Sequence, residues 1–383
     1  MSASEVAVDV LAPVAVDTAY SYRAPSEWKL EPGACVRMPL GARLATGVVW
    51  AVRPAGGDNL KSVAATLDWP PLRPPLRDFI DWVARWTLSS RGMVLRMAIR
   101  AGEVAAPPGP KFGLVATGKA PARMTDARAR VMAAVAEHGA PTAKAALAAL
   151  AGSSTGVIDG LVADGALVPV ALPPEAVAAP LDPDFCMTRL NPDQRAAADD
   201  LSRRVADRAF SSTLLEGVTG SGKTEVYFEA VAEALRQGRQ GLVLVPEIAL
   251  TGQFLDRFAA RFGARPAEWH SGLTERQRER VWAAAAKGEA RIVVGARSAL
   301  FLPFADLGLI VVDEEHDGAY KQEDGVIYNA RDMAVVRARL ERAPVVLASA
   351  TPALETRFNA ETGRYSWLTL PARFGEATLP GIA

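Results

Sequence analysis

The stretch from Ser212 to Thr224 reads S-T-L-L-E-G-V-T-G-S-G-K-T and decides the fold of this chain. Its opening, with Leu214 and Leu215, is typical of the end of a buried strand, and a turn rich in glycine follows. Lys223 and Thr224 then open a helical pattern. The spacing G-x-x-x-x-G-K-T predicts a P-loop, in which the backbone N–H groups of the turn and the helix N-terminus converge on phosphate.

The alternative is a plain glycine turn between a strand and a helix. The apolar run before the turn and the helical pattern after it favour the P-loop. The predicted nucleotide-binding residues are Gly217, Val218, Thr219, Gly220, Ser221, Gly222, Lys223 and Thr224.

Composition bounds the class of protein. The 383 residues suffice for two or three domains, and half of them are hydrophobic, as in a globular protein. Lys and Arg number 43 and Asp and Glu number 43, which argues against bulk adhesion to nucleic acid or to an anionic membrane. Cys35 and Cys186 alone cannot form a disulfide framework or a cysteine zinc site. With no signal-peptide pattern or long apolar run, we expect a cytoplasmic protein without a membrane segment.

The first part of the chain carries signals for β structure. Short β-rich runs between Glu5 and Leu67 predict a small barrel or curled sheet. Phe79 to Leu88 has helical spacing. Six arginines and two acids lie between Arg73 and Arg100, which is either a solvated helix face or a patch that contacts phosphate.

The middle part reads as three short helices and a strand. The helices are predicted at Thr125–His138, Thr142–Leu150 and Gly156–Asp164, and the strand at Leu167–Val170. This order is the outline of a winged-helix module, which either binds duplex nucleic acid or packs against its neighbours. Because the helices have little basic excess, we favour the packing role.

From about Leu190 onward, strands and helices alternate, which predicts a parallel α/β sheet. One strand, Leu309–Val312, ends in Asp313-Glu314-Glu315-His316. Carboxylates at this edge of a parallel sheet would lie beside the phosphates of a P-loop, with Asp313 orienting Mg²⁺ and Glu314 polarising the attacking water. A charged cap on the strand is the alternative.

Further motifs follow the P-loop in a specific order. They are P-E-I-A-L-T (Pro246–Thr251), H-S-G-L (His270–Leu273), G-A-R-S-A-L-F (Gly295–Phe301), D-E-E-H, G-A-Y-K-Q-E (Gly318–Glu323) and S-A-T-P-A-L-E-T (Ser349–Thr356). Together they closely resemble the primosomal protein N′ family, the replication-restart DNA helicases of superfamily 2. The resemblance implies a multidomain chain: a β-rich domain at 1–105 that binds 3′ DNA ends, a winged-helix domain at 106–180, and a RecA-like helicase lobe at 181–383.

The resemblance also implies roles for residues around the nucleotide. Gln194, in L-N-P-D-Q, aligns with a glutamine that reads adenine. Lys223 would contact the β- and γ-phosphates, and Thr224 and Asp313 would hold Mg²⁺. Two further roles are implied: His316 relays the nucleotide state towards DNA, and Ser349 and Thr351 couple hydrolysis to strand movement.

Other residues are implied to contact DNA. Arg297 is a phosphate partner, with a buried structural arginine as the alternative. Tyr320 and Tyr328 lie in a loop that resembles an aromatic sensor of single-stranded DNA, although Val326 stands where tryptophan is expected, and core packing is the alternative for Tyr320.

In the first domain, the residues that resemble a site for a nascent 3′ end are Tyr20, Ser21, Gly41 and Lys61. Tyr20 would stack on the terminal base and Lys61 would meet phosphate. Ser21 stands where an aspartate is expected, so we expect weaker recognition of a free 3′-hydroxyl. Packing of Tyr20 and Tyr22 on the strand face is the alternative.

The implied function is that of an ATP-dependent 3′-to-5′ helicase that recognises stalled forks and starts primosome assembly. The implied partners are forked DNA, replication-restart proteins and single-stranded-DNA-binding protein, in a nucleoid-associated location. A second helicase lobe and a zinc-binding segment are expected beyond Ala383, so we expect this chain alone to bind ATP and DNA but to hydrolyse little ATP. The alternatives are another superfamily 2 translocase, or a fork-binding protein whose ATPase lobe is a scaffold.

Overall fold

The computed structural model describes residues 5–54, 59–99, 112–172, 177–247, 250 and 252–373. The chain forms two compact units. The first unit combines Met1–Gly102 with Val177–Ala383, and the second is Glu103–Ala176. The whole of the predicted linker Ala105–Pro110 lies outside the described residues, as do Ile248, Ala249 and Thr251 of the P-E-I-A-L-T motif.

The first unit begins with a five-stranded antiparallel sheet, which confirms the predicted β-rich domain. Its strands follow the order β2-β1-β4-β3-β5. They are β1 (Glu5–Leu11), β2 (Tyr20–Pro25), β3 (Cys35–Leu40), β4 (Arg43–Pro54) and β5 (Ala65–Thr66). The alternating residues Val8 and Val10 are fully buried, as the period of two predicts.

Two helices follow this sheet. Helix α1 (Pro74–Thr87) starts with proline, whose fixed φ suits the first turn, and it ends at Leu88 with φ of 53°. Its buried side chains include Leu76, Phe79, Ile80 and Val83, which share one face of the helix. Helix α2 (Arg91–Ala98) buries Val94 and Leu95. The predicted helix at Phe79 therefore starts about one turn earlier than the sequence indicated.

The second unit is a three-stranded antiparallel sheet with three helices. Its elements are β6 (Phe112–Ala116), α3 (Asp126–His138), β7 (Thr142–Ala143), α4 (Lys144–Leu150), α5 (Thr155–Ala163) and β8 (Leu167–Ala171). The helices agree with the predicted positions, except that Thr142 and Ala143, predicted as helix, form β7. Strand β6 had no clear sequence signal. This composition is compatible with a winged-helix module, which stays a proposal.

No single helix in the described ranges is long and apolar enough to cross a membrane. Helices α4 and α5 meet that test only as a pair, with a bend of 115° between them.

The main sheet of the first unit has seven parallel strands in the order β11-β12-β10-β13-β16-β9-β17. This confirms the predicted parallel sheet. The strands are β9 (Ser211–Gly217), β10 (Gln240–Leu244), β11 (Ala267–Trp269), β12 (Ile292–Gly295), β13 (Leu307–Asp313), β16 (Pro344–Ser349) and β17 (Ser366–Leu370). A separate small hairpin joins β14 (Lys321–Gln322) to β15 (Tyr328–Asn329).

Helices cover both faces of the main sheet. They are α6 (Pro192–Ala206), α7 (Lys223–Arg236), α8 (Gly252–Phe262), α9 (Glu275–Ala286), α10 (Ala330–Glu341) and α11 (Leu354–Glu361). Strands β9, β16 and β13 are neighbours, and each is followed by one of the chemical motifs. Because parallel strands end at the same edge, the fold brings these motifs together there.

One hydrophobic cluster joins the N-terminal domain to this α/β lobe. It includes Phe79 from α1, Phe301, and Ala334 from α10. The rings of Phe79 and Phe301 lie 5.2 Å apart. The two parts of the first unit therefore share a core.

Candidate active site and DNA-binding surfaces

The turn after β9 has the backbone geometry of a phosphate cradle. Gly220 and Gly222 have φ of 81° and 83°, which side chains rarely adopt. A Cβ at Gly217 would lie 2.5 Å from the Ser221 hydroxyl oxygen and 2.9 Å from the Leu370 Cβ, so a side chain there would force the surroundings to shift. Ser221 Oγ is buried without a hydrogen-bond partner in the described structure.

Lys223 opens α7 at the base of this turn and is largely buried. Its ammonium donates a 2.9 Å hydrogen bond to the Gly217 carbonyl. A lysine cation beside a glycine turn and a helix N-terminus is suited to bind phosphate. The cradle therefore fits a nucleoside triphosphate.

Gln194 is fully buried beside the same turn. Its Nε2 donates a 2.8 Å hydrogen bond to the Ser221 carbonyl. Its Oε1 accepts from the backbone N–H of Asn191, completing a capping box at the start of α6. The observed role of Gln194 is thus to tie α6 to the P-loop, and its reading of adenine stays a prediction.

The end of β13 supplies the acidic side of the site. Asp313 Oδ2 accepts a 2.9 Å hydrogen bond from the Tyr227 hydroxyl. Burial, opposed mainly by this hydrogen bond, raises the pKa of Asp313 to about 6. Burial and the Asp313 charge raise the pKa of Tyr227 well above its usual value, so Tyr227 stays a donor. Glu314 has φ of 46°, an uncommon conformation of the kind that clusters at functional sites.

A cavity of about 450 Å³ unites the two sides of the site. Its walls include Gln194, Thr219, Gly220, Gly222, Lys223, Thr224, Asp313 and Glu314. One hydroxyl and one carboxylate beside phosphate oxygens form the donor set that Mg²⁺ takes in nucleotide sites. No cluster of three or more His, Cys, Asp or Glu side chains suited to a metal is found in the described ranges, and such a site does not need one. Thr224 and Asp313 thus fit the predicted Mg²⁺.

His316 connects this site to the end of β16. Its Nδ1 lies 2.8 Å from the Ser349 hydroxyl oxygen, which also accepts a 3.0 Å hydrogen bond from the Thr351 backbone N–H. The structure therefore brings together the three residues implied in relay and coupling.

Several residues that sequence reasoning did not single out lie in or beside the site. Glu315 is buried and accepts hydrogen bonds from the Ala353 N–H and the Thr356 hydroxyl, at 2.7 and 2.9 Å. Tyr227 contacts Asp313, and Arg189 and Arg257 line the nucleotide cavity. Tyr227 lies one helical turn after Lys223, and that spacing is the signal that could have found it.

The predicted aromatic sensor is placed differently from expectation. Tyr320 is 1% exposed, and its hydroxyl donates to the Leu244 and Asp313 carbonyl oxygens. Tyr328 is 4% exposed, with its ring 5.5 Å from that of Phe301. In this conformation neither ring is free to stack on a base, so the structure favours the core-packing alternative.

Arg297 is partly exposed, which argues against the alternative of a buried structural arginine. Its Nη1 donates to the carbonyl oxygens of Ala319 and Lys321, at 3.0 and 2.9 Å. It has no carboxylate partner within the described residues, so its charge is available to an anion.

The predicted 3′-end residues lie on the first sheet. Tyr20 is 38% exposed, whereas Tyr22 is buried and donates to the Pro39 carbonyl, two residues before Gly41. Gly41 has φ of 63° with open space around it, and Lys61 is exposed.

Ser21 donates a 2.7 Å hydrogen bond to Asp9, which also pairs with Arg53. The packing alternative therefore holds for Tyr22, while Tyr20 is free to contact a ligand.

The comparisons with known proteins agree with this architecture. Residues 191–358 match the DEAD/DEAH box helicase family. Residues 5–100 match the family described as 3′DNA-binding domain (3′BD). The fold and site thus define a P-loop lobe that is similar to the DEAD/DEAH box helicases, joined to a domain that is similar to the 3′DNA-binding domain family.

The particular protein that the chain resembles is the replication restart protein PriA, as the motifs predicted. PriA of Rickettsia felis is 45% identical over 198 residues, which are 52% of this chain and 30% of that protein. PriA of Chlamydia pneumoniae is 49% identical over 189 residues, which are 49% of this chain and 25% of that protein. PriA of Bacillus subtilis is 43% identical over 194 residues, which are 51% of this chain and 24% of that protein. The matches therefore span less than a third of these relatives.

Among solved structures, RecG bound to a three-way DNA junction aligns with a TM-score of 0.38 and 21% identity, over 50% of this chain and 25% of that one. The helicase MrfA bound to DNA aligns with a TM-score of 0.34 and 17% identity, over 51% and 32% of the two chains.

Proposed function

We propose that this chain provides the ATP-binding lobe and the DNA-end-binding domain of a 3′-to-5′ DNA helicase that acts at stalled replication forks. The observation that carries the proposal is the meeting of three strand ends at one edge of the main sheet, with Lys223, Asp313 and the His316–Ser349 pair. A nucleotide bound there would contact the residues that link hydrolysis to movement.

Each side chain has a chemical task in this proposal. When nucleotide binds, the Lys223 ammonium gives up its hydrogen bond to the Gly217 carbonyl and donates to phosphate oxygens instead. Glu314 polarises the attacking water. Thr224 and Asp313 hold the magnesium ion, which neutralises charge on the β- and γ-phosphates when bound. His316 passes the state of the site to Ser349 and Thr351.

The N-terminal domain recognises the 3′ end of a nascent strand in this proposal. Tyr20 stacks on the terminal base, Ser21 meets the 3′-hydroxyl, Gly41 leaves room for the backbone, and Lys61 contacts phosphate. The match to the 3′DNA-binding domain family supports this assignment. The division into domains at 1–105, 106–180 and 181–383 and the winged-helix identity of the second unit belong to the same proposal.

The wider role follows from the resemblance to PriA. We infer primosome assembly with replication-restart proteins and single-stranded-DNA-binding protein, in the nucleoid of the cytoplasm. A zinc-binding segment belongs to this inference as well, outside the chain described here.

Replacement of Lys223 by alanine tests the nucleotide site. We expect affinity for a fluorescent ATP analogue to fall about 30-fold, the loss of a charge-assisted hydrogen bond, with little change in fork binding. Lys287→Ala is the control, since Lys287 ends α9 outside the nucleotide cavity. Unchanged analogue binding in a folded Lys223→Ala variant would favour the scaffold alternative.

A further inference from the structure

A second cavity, of about 430 Å³, lies between helix α2 of the N-terminal domain and the α/β lobe. Arg96 and Met97 of α2 line one side, and Arg278 and Arg297 of the lobe line another. Its volume is typical of a site for a small ligand or for one unit of a polymer. Tyr320 connects it to the nucleotide site, because Tyr320 lines this cavity and its hydroxyl donates to the Asp313 carbonyl oxygen.

The charges around this cavity favour an anion. Arg96, Arg278 and Arg297 form no ion pair within the described residues. Glu247 is the acid that lines the cavity, and its carboxylate already accepts from the backbone N–H and hydroxyl of Ser271. These hydrogen bonds, helped by the charges of His270 and Arg297, lower the pKa of Glu247. One carboxylate against three guanidinium groups leaves the lining of the cavity with a net positive charge.

Tyr328 gives an independent indication of a missing partner. It lines the cavity, and its hydroxyl is buried without a hydrogen-bond partner in the part of the chain that is described. Burial raises the pKa of Tyr328 above its usual value, so the group remains a donor. A phosphate oxygen reaching this wall of the cavity would satisfy it.

Helix α2 is held firmly against the lobe. The indole N–H of Trp282 donates a 2.7 Å hydrogen bond to the Ala98 carbonyl at the end of α2. The rings of Trp282 and Trp69 lie 4.9 Å apart, and both residues belong to the core that the two parts share. Arg96 is exposed on this anchored helix, so its backbone is fixed beside the cavity and only its side chain has to be ordered on binding.

We propose that α2 completes a phosphate-binding groove on the lobe, so that a DNA strand held there is contacted by Arg96 together with Arg278 and Arg297. The inference rests on the proposed DNA-binding function and adds that the N-terminal domain takes part in holding the strand on the motor. A guanidinium group from α2 and one from the lobe can each bind a phosphate of the same strand, because the planar guanidinium donates two parallel hydrogen bonds. The contacts are to the backbone, so the groove is tolerant of base sequence.

Fluorescence anisotropy with a labelled oligo(dT) strand tests this groove, without nucleotide and across a range of salt. We expect Arg96→Ala and Arg278→Ala each to weaken binding about fivefold and each to reduce the slope of log affinity against log salt by about 0.7, the contribution of one phosphate on a single strand. The double variant Arg96→Ala, Arg297→Ala should reduce the slope by about 1.4.

The matched controls are Arg276→Ala and Arg339→Ala. Arg276 lies on the same helix as Arg278, and both control arginines are exposed and outside the cavity. Suppose that Arg297→Ala reduces the salt slope but Arg96→Ala has the same slope as the controls. This result would contradict the contribution of α2 to the groove, and the proposed function would be unaffected. Absence of oligo(dT) binding by the unmodified chain would contradict both.

Discussion

The Ser21 hydroxyl donates a 2.7 Å hydrogen bond to the carboxylate of Asp9, its cross-strand neighbour on β1. Ser21 stands where the family resemblance leads one to expect an aspartate, so an acid is present next to that position rather than at it. Arg53 pairs with the Asp9 carboxylate and also donates a 3.2 Å hydrogen bond to the Ser21 hydroxyl oxygen, which leaves that oxygen one lone pair for a further donor. A hydroxyl that donates to a carboxylate becomes a better acceptor, because hydrogen bonds in a chain polarise one another.

This relationship changes the expected recognition of a 3′ end. We expect the chain to bind a fork with a 3′-hydroxyl more tightly than one with a 3′-phosphate, and Asp9→Asn to reduce that preference about threefold, since a neutral amide polarises Ser21 less. Competition between the two forks in an anisotropy assay measures the ratio. Glu31→Gln, an exposed acid of the same domain outside the strands, should keep the ratio unchanged.

Alanine substitutions at two glycines with positive φ, Gly222 in the P-loop and Gly238 outside it, should have different effects on nucleotide binding. Gly222→Ala should destabilise the chain by roughly 1–2 kcal/mol because alanine is strained at positive φ. It should also weaken ATP binding, because the new Cβ would lie 2.4 Å from Gln194 Nε2. Gly238 has φ of 69° with open space around it, so Gly238→Ala should share the loss of stability and keep nucleotide affinity. Urea unfolding and analogue titration together separate the two effects.

The raised pKa of Asp313 predicts a specific pH dependence of stability. Since the folded-state pKa of about 6 exceeds the usual 3.8, the folded chain binds this proton more tightly than the unfolded chain. The ionised carboxylate therefore lowers stability, an effect that is complete above about pH 6 and absent below about pH 4.

Asp313→Asn should accordingly raise the free energy of unfolding by about 3 kcal/mol near pH 7.5 and leave it unchanged near pH 4. Denaturant titrations at both pH values measure this difference. An equal effect of the substitution at the two values would mean that titration of Asp313 is not its source.

Replacement of Glu315, which lies beside the predicted catalytic acids, should lower the stability of the fold strongly. Its buried carboxylate accepts from Ala353 and Thr356 and lies 3.5 Å from Arg331. Glu315→Ala should cost about 3 kcal/mol, because it leaves buried donors without their acceptor and removes one of the carboxylates that pair with the Arg331 guanidinium. The exposed acid Glu361 of α11 provides the control, and Glu361→Ala should leave the unfolding midpoint nearly unchanged.

Much of the nucleotide site could be predicted from the sequence because its parts are local. The P-loop needs only a strand end, glycines and a helix start that follow one another, and the acids directly follow an apolar strand. The same reasoning located the parallel sheet and the β-rich domain. It missed β6 and the short strand β11, whose residues have weak periodic patterns.

The sequence by itself determined the chemistry of the site: a phosphate cradle ending in Lys223 and Thr224, and acids at the end of a buried strand. The tertiary structure decided which distant residues meet, including Tyr227 with Asp313, Ser21 with Asp9, and α2 with the lobe. It also decided that Tyr320 and Tyr328 point into the core. The physical reason is that residue type and spacing report local conformation. The direction in which a side chain points and the distant residues that it contacts depend on strand register and on how separate elements pack.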